Sequence, residues 1–275
     1  MLRNFLKKDN FLSTLLFFPF IYIAGWSLVS LFIYFFPFLS LEKSLYGTII
    51  TFFIFLLSLP SWSKSRWNKN LSKLLGINCV INKNLFLTLL LEFLKALTII
   101  SLFIFILVNR EFALVQINLN ASVFFNSLFL ACLVGIAEEL VFRVWLFEEL
   151  NLFFKPEKAN LYQAILFSLA HFRYEFDFLS NIQLFIGLFL LALYLNTWRL
   201  TKKPTIFLPI FFHGSLVGCW FFVTNSLIII NKKIPIILFG PGEGLNINPM
   251  GGWIGIFIIL LLYYLQKRYF LGNNF

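Results

Sequence analysis

Long apolar segments, separated by short polar ones, make up almost the whole chain. A helix that crosses a bilayer needs about 20 mostly apolar residues. Eight segments approach or exceed that length, and the fifth of them is short and moderately polar. They cover residues 11–36, 45–61, 85–108, 122–147, 160–176, 180–198, 204–230 and 252–266. The pattern predicts an all-α polytopic membrane protein, with about eight transmembrane helices in a single transmembrane domain spanning residues 1–275.

Composition excludes a water-soluble protein. The 275 residues are 60% hydrophobic and only 12% charged, whereas charged residues make up about 25% of an ordinary soluble domain. One core of this size could not hide so much apolar surface from water. The cysteines Cys79, Cys132 and Cys219 are odd in number and form no CxxC pair, which argues against a disulfide framework or a thiolate metal site.

The distribution of basic residues predicts the orientation. A net charge of +10 would suit a nucleic-acid partner, but Lys and Arg also accumulate in the cytoplasmic loops of membrane proteins. With the N-terminus inside, the eight segments place 15 of the 22 Lys and Arg residues on the cytoplasmic side and 5 on the outer side. We therefore expect a multi-pass protein of the cell membrane with both termini in the cytoplasm. Membrane lipid is an expected partner and nucleic acid is not.

The fourth segment carries three ionisable residues in the sequence GIAEELVFRVW. A charged side chain inside a bilayer is costly and needs a partner, so such groups often mark a site. Glu139 and Arg143 are four residues apart and lie on one face of a helix, where they can form an ion pair. Glu138 is rotated by about 100° from Glu139 and has no such partner in its own helix.

Both histidines of the chain also fall in apolar segments, His171 in the fifth and His213 in the seventh. At 1.5 Å per residue, they and the two glutamates lie roughly 14–16 Å from the cytoplasmic boundary. One buried histidine is more often structural than catalytic. Two of them at the depth of a carboxylate pair predict a shared polar site between the fourth, fifth and seventh helices.

These three segments together resemble the CPBP family of intramembrane proteases (CAAX protease and bacteriocin-processing, also called Abi). The family pattern is EExxxR, then FxxxH, then HxxxN or HxxxD, on successive membrane helices. Here EELVFR supplies Glu138, Glu139 and Arg143, FSLAH supplies Phe167 and His171, and HGSLV supplies His213. The resemblance covers residues 120–230, which we take as the CPBP-like catalytic core. Val217 stands where the family has Asn or Asp.

The resemblance implies an intramembrane endopeptidase, similar to the type II CAAX prenyl endopeptidases, that hydrolyses a peptide bond of a membrane-associated protein or peptide at the cytoplasmic leaflet. Glu138 and His171 would activate water, and His213 would stabilise the oxyanion. Glu139, Arg143 and Phe167 would support them. In the family, the residue at position 217 is thought to help hold water or the oxyanion, and Val cannot do so.

Three alternatives stay open at this point. Glu138, His171 and His213 could instead hold a divalent metal, zinc being the best match to two His and one Glu; the sequence implies no other cofactor. The chain could be a non-catalytic membrane immunity or assembly protein that retains the fold, an interpretation that Val217 favours. It could also be a transporter whose buried Glu and His relay protons, although it lacks paired broken spans in two matching halves.

Overall fold

The computed structural model describes residues 10–37, 43–76, 83–201, 205–231 and 234–272. Apart from one two-stranded ribbon, the regular structure of these residues is helical. The fold is therefore that of an all-α polytopic membrane protein, as the apolar pattern predicts. Six helices in the described residues are long and apolar enough to cross a membrane: Phe11–Phe35, Lys43–Trp67, Phe86–Asn109, Ala121–Leu150, Phe178–Arg199 and Phe207–Ser226.

Two of the eight predicted spans are not among these six. In place of the segment 160–176, the helix Pro156–Leu169 has 14 residues, a length of about 21 Å against roughly 30 Å of hydrocarbon. The segment 252–266 lies in the helix Trp253–Gly272. This helix has 20 residues, and its side chains are described as far as Tyr269.

The chain divides into two compact units. The first comprises residues 1–74 and 148–153, and the second comprises 75–147 and 154–275. Described elements of the first unit are α1 (Phe11–Phe35), α2 (Lys43–Trp62), a π-helical turn (Ser63–Trp67) and α3 (Leu71–Leu75). Small residues let α1 and α2 approach closely, since a Cβ atom at Gly47 would lie 2.8 Å from the Trp26 ring.

A fully buried ion pair lies at the centre of the first unit. Glu149 Oε2 accepts a hydrogen bond from Arg66 Nε at 2.9 Å, and both side chains are completely buried. Its Oε1 accepts further hydrogen bonds from the indole nitrogens of Trp62 at 2.9 Å and Trp67 at 2.7 Å, and the Thr14 hydroxyl donates to Oε2. The carboxylate is thus surrounded by donors, as a buried charge requires.

The second unit contains the remaining long helices. Its elements in chain order are α4 (Lys83–Asn109), β1 (Ala113–Val115), α5 (Ala121–Glu138), a π-helical segment (Glu139–Leu146), the first residue of α6 (Phe147–Leu150), α7 (Pro156–Leu169), α8 (Phe178–Asn196), α9 (Phe207–Ser226), β2 (Ile228–Ile230), α10 (Ile236–Phe239) and α11 (Trp253–Gly272). Within α4, Lys95 Nζ lies 2.7 Å from Glu92 Oε1. This pair neutralises the charges that the sequence places in the third predicted span.

One end of the second unit is closed by the strand pair. β1 and β2 run antiparallel with Ala113 opposite Ile230, and the Asn231 amide donates to the Phe112 carbonyl. The pair therefore brings together the last turn of α4, the first turn of α5 and the last turn of α9. The Gln183 amide near the start of α8 donates to the Ile237 carbonyl at 3.2 Å. We call this the strand end, formed by the described residues 110–120, 173–183, 227–231 and 234–248.

Glycines bring α5 and α9 into close contact. A Cβ atom at Gly135 would lie 3.1 Å from the Gly214 Cα, and one at Gly214 would lie 3.2 Å from the carbonyl carbon of Ala131. Such small-residue contacts are typical of helix packing in membranes. Because His213 directly precedes Gly214, this contact places the histidine beside the acidic end of α5.

Candidate active site

The two glutamates of the fourth span lie where α-helix gives way to π-helix. Glu138 is the last residue of α5, and Glu139 begins the π-helical segment that runs to Leu146. Glu139 and Arg143 are completely buried, and the Arg143 Nε atom lies 3.2 Å from Glu139 Oε2. The ion pair expected from the sequence is therefore present, on a π-helical rather than an α-helical backbone. Single π-helical turns of this kind are frequent at functional sites.

Phe167 supports the charged groups with its ring. It lies in α7 and is completely buried, and the Arg143 guanidinium lies 4.1 Å from the ring centroid, a cation–π contact. The rings of His171 and His213 lie 4.6 and 6.2 Å from it, measured between centroids. One aromatic side chain therefore contacts a residue from each of the three sequence motifs.

His171 lies just beyond the end of α7, because the helix stops at Leu169 and a turn follows. The prediction that it sits inside a spanning helix is therefore wrong, although its neighbours are those expected. Its Nδ1 donates to the carbonyl of Phe167 at 2.7 Å. This fixes the tautomer and leaves Nε2 directed at Glu138 Oε2, at a distance of 3.6 Å.

His213 lies in α9 and is buried. Its Nδ1 lies 2.8 Å from Glu139 Oε1, within hydrogen-bonding distance. Its Nε2 lies 3.9 Å from the same Glu138 oxygen that faces His171. Glu139 thus orients His213, while Glu138 lies between the two imidazoles.

The environments of the two neighbouring carboxylates differ. Glu139 is fully buried between Arg143 and His213, whereas the Glu138 side chain is 27% exposed. Glu138 Oε2 makes no hydrogen bond to the rest of the described protein. Its separations of 3.6 and 3.9 Å from the two Nε2 atoms are too long for direct hydrogen bonds but allow ion-pair contact.

A cavity of about 870 Å³ opens from these three residues. Its wall near them is apolar, and Val217 is part of it. Its far side is polar, because the turn after α7 and the loop before α11 contribute charged and amide side chains. The residues of that far side include Arg173, Glu175, Asp177, Glu243, Asn246 and Asn248.

The turn after α7 is held by side-chain hydrogen bonds. The Asn181 side chain accepts from the Arg173 amide at 3.0 Å and donates to the Arg173 carbonyl at 2.9 Å. The backbone amide and hydroxyl of Ser180 donate to Asp177, and these bonds hold the pKa of that exposed carboxyl below its ordinary value. Asp177 is therefore ionised at neutral pH. The sequence pattern did not indicate that this turn and the loop 240–252 contribute to the cavity.

The described residues offer no metal site. No group of three or more His, Cys, Asp or Glu side chains in them is arranged to hold a metal ion. The zinc alternative, with Glu138, His171 and His213 as ligands, stays a prediction.

The region around the site matches a known protein family. Residues 120–219 match the family described as type II CAAX prenyl endopeptidase Rce1-like. These residues lie within the segment 120–230 predicted as the CPBP-like catalytic core, and the match confirms the resemblance. Residues 3–71 match a domain of unknown function, DUF8676. No match to the chain was found among curated proteins or among solved structures.

Proposed function

We propose that the protein is an intramembrane endopeptidase that hydrolyses a peptide bond of a membrane-associated peptide or protein, because residues 120–219 match the family described as type II CAAX prenyl endopeptidase Rce1-like. The observation that carries this proposal is the position of Glu138. Its Oε2 atom faces the Nε2 atoms of both His171 and His213, and all three residues line one end of a cavity. A carboxylate and two imidazoles around one point can hold, deprotonate and direct a water molecule.

The proposed reaction begins with a water bound between these three groups. Glu138 accepts a proton from the water while His171 holds it, and the water oxygen bonds to the carbonyl carbon of the substrate. His213 donates from Nε2 to the oxyanion that forms, and the neighbouring Glu139 carboxylate supports the positive charge this requires. The proton taken by Glu138 then passes to the leaving amine as the carbon–nitrogen bond breaks.

The supporting residues keep this arrangement in place. Arg143 neutralises Glu139, so that its carboxylate can remain charged while fully buried. The Phe167 ring packs against Arg143 and both histidines, and its carbonyl fixes the ring of His171. We propose that these residues position the catalytic groups without contacting the substrate.

Replacing Glu138 by Gln tests the assignment, because the side chain keeps its shape and loses its basicity. A general base contributes about 10²–10⁴-fold to a rate, so cleavage in the variant should fall by that range while the protein stays folded. The matched control is Glu157→Gln, on the exposed first turn of α7. Comparing membrane proteomes of cells carrying each variant should reveal peptides that accumulate uncut only with Glu138→Gln. Identical proteomes in the two strains would refute the role of Glu138.

A second function is supported by Val217. This side chain lines the cavity on the α9 face that carries His213, and it cannot form the hydrogen bond that Asn or Asp could. A non-catalytic membrane immunity or assembly protein with this fold would tolerate the replacement. In that case, cells carrying Glu138→Gln or His171→Ala would still complement loss of the protein, and no uncut peptide would accumulate.

A further inference from the structure

The cavity extends from the candidate catalytic residues in one direction only. On α9 its lining residues follow His213 toward the C-terminal end of the helix, at Leu216, Val217, Trp220, Phe221 and Thr224. On α5 they precede Glu138, at Leu130 and Val134. Both series lead to the strand end, because the C-terminus of α9 and the N-terminus of α5 meet there.

The opposite side of the catalytic residues is closed by packed side chains. Glu139, Arg143, Phe167 and Phe212 are completely buried, and none of them but Phe167 lines the cavity. At the strand end, by contrast, the cavity meets exposed residues such as Glu243 and Asn246. A substrate therefore has a route to Glu138 from the strand end and a packed floor on the other side.

The other end of the second unit is marked by hydrogen bonds between helix termini. The Asn196 side chain at the end of α8 donates to Asn160 near the start of α7 at 2.8 Å. The Gln266 side chain in the last part of α11 donates to Thr197 at 2.7 Å. We call this the basic end, because its described residues include Lys155, Lys158, Arg199, Lys267 and Arg268.

Charge distinguishes the two ends. Against those five cations, the described residues of the strand end carry two, Arg110 and Arg173, and Arg173 lies 3.6 Å from the acidic Glu175. Lys and Arg near membrane spans concentrate on the cytoplasmic side. The basic end is therefore the cytoplasmic one, and the strand end faces the opposite side of the membrane.

Resting on the endopeptidase function proposed above, we propose that the site receives its substrate from the extracytoplasmic side. The partner is a membrane-anchored peptide that presents its scissile bond at the outer surface, with an apolar segment to fit the cavity wall. The sequence analysis instead expects the substrate at the cytoplasmic leaflet. The depth of Glu138 along its helix does not show to which side of the membrane the cavity opens.

Cysteine labelling in intact cells tests the direction of entry. Asn246→Cys at the strand end and its matched control Lys158→Cys at the basic end are each made in a chain with Cys79, Cys132 and Cys219 replaced by Ala. Both target positions are exposed. A membrane-impermeant maleimide should label Asn246→Cys in intact cells and label Lys158→Cys only after the membrane is permeabilised. The reverse pattern, or equal labelling of the two, would overturn the proposal.

This labelling separates the direction of entry from the chemistry, because it needs no substrate. If Asn246→Cys is labelled from outside but Glu138→Gln causes no peptide to accumulate, the endopeptidase function fails while the orientation stands. If Glu138→Gln accumulates uncut peptide and Asn246→Cys is reached only from inside, the direction of entry alone is wrong. The location of the accumulated peptide, tested by protease added to intact cells, should agree with the labelling.

Discussion

The buried carboxylate of Glu149 gives a quantitative test of what stabilises the first unit. Replacing it by Ala removes the acceptor of four side-chain donors: Arg66, Trp62, Trp67 and Thr14. The Arg66 guanidinium is completely buried and keeps hydrogen bonds from Nη2 to the Asn10 carbonyl and the Thr14 hydroxyl. The variant therefore removes the Glu149 carboxylate from beside a fully buried cation.

Breaking a buried ion pair by removing one partner costs about 3–5 kcal/mol. The two indole N–H groups that lose their acceptor add to this, at about 1–3 kcal/mol for each donor left unsatisfied. We therefore expect Glu149→Ala to lower the free energy of unfolding by at least about 3 kcal/mol, which corresponds to a fall in midpoint temperature of roughly 10 °C. Glu149→Gln should fall between the wild type and Glu149→Ala, because an amide oxygen can still accept from the two indoles.

The neighbouring residue provides the matched control. Glu148 pairs with Lys69 at 2.6 Å, but the Lys69 side chain is 49% exposed and can be solvated when its partner is removed. Glu148→Ala should therefore cost about 1 kcal/mol or less. Heating the detergent-purified variants and following tryptophan fluorescence gives the order directly. If Glu149→Ala unfolds at the same temperature as Glu148→Ala, the buried network does not stabilise this unit.

Three further predictions concern the candidate active site, with cleavage measured on a peptide that Glu138→Gln cells accumulate. Arg143→Ala removes the cation beside the buried Glu139 and should cost about 3–5 kcal/mol of stability. Arg143→Lys should cost less but still reduce cleavage, because an ammonium cannot stack on Phe167 as the guanidinium does. Equal stability of both variants and wild type would contradict this. Val217→Asn adds a hydrogen-bond donor beside His213 and should raise kcat by up to about 100-fold; an unchanged kcat would show that position 217 does not reach the oxyanion. Chelators should leave cleavage intact, since side chains supply the base; loss of activity with rescue by zinc would instead make Glu138 and the two histidines metal ligands.

The sequence was informative about the site because charge is costly in an apolar helix. Glu138, His171 and His213 stand out against long apolar segments, and each must find a polar partner. When three such residues lie at similar depth on separate helices, the arrangement of lowest free energy is the one in which they face one another. The structure has Glu138 between the two imidazoles.

The length of α7 could not be read from average hydropathy. Aromatic residues at 172, 174 and 176 alternate with Arg173, Glu175 and Asp177, so the segment is apolar enough on average to extend a predicted span. Alternation with a period of two does not suit a helix. The chain forms a turn there instead, and Asn181 supplies the hydrogen bonds that the broken helix loses.

The π-helical segment was equally invisible, because one extra residue per turn leaves the apolar content unchanged. Its effect on the site is nevertheless direct. Glu138 ends a regular α-helix and Glu139 begins the wider turn, so the two carboxylates point to different neighbours although they are adjacent in the chain. One lies beside Arg143 and orients His213, and the other lies between the two imidazoles and lines the cavity. The rotation of about 100° between adjacent helical residues separates the two carboxylates, and the wider turn begins at the one that pairs with Arg143.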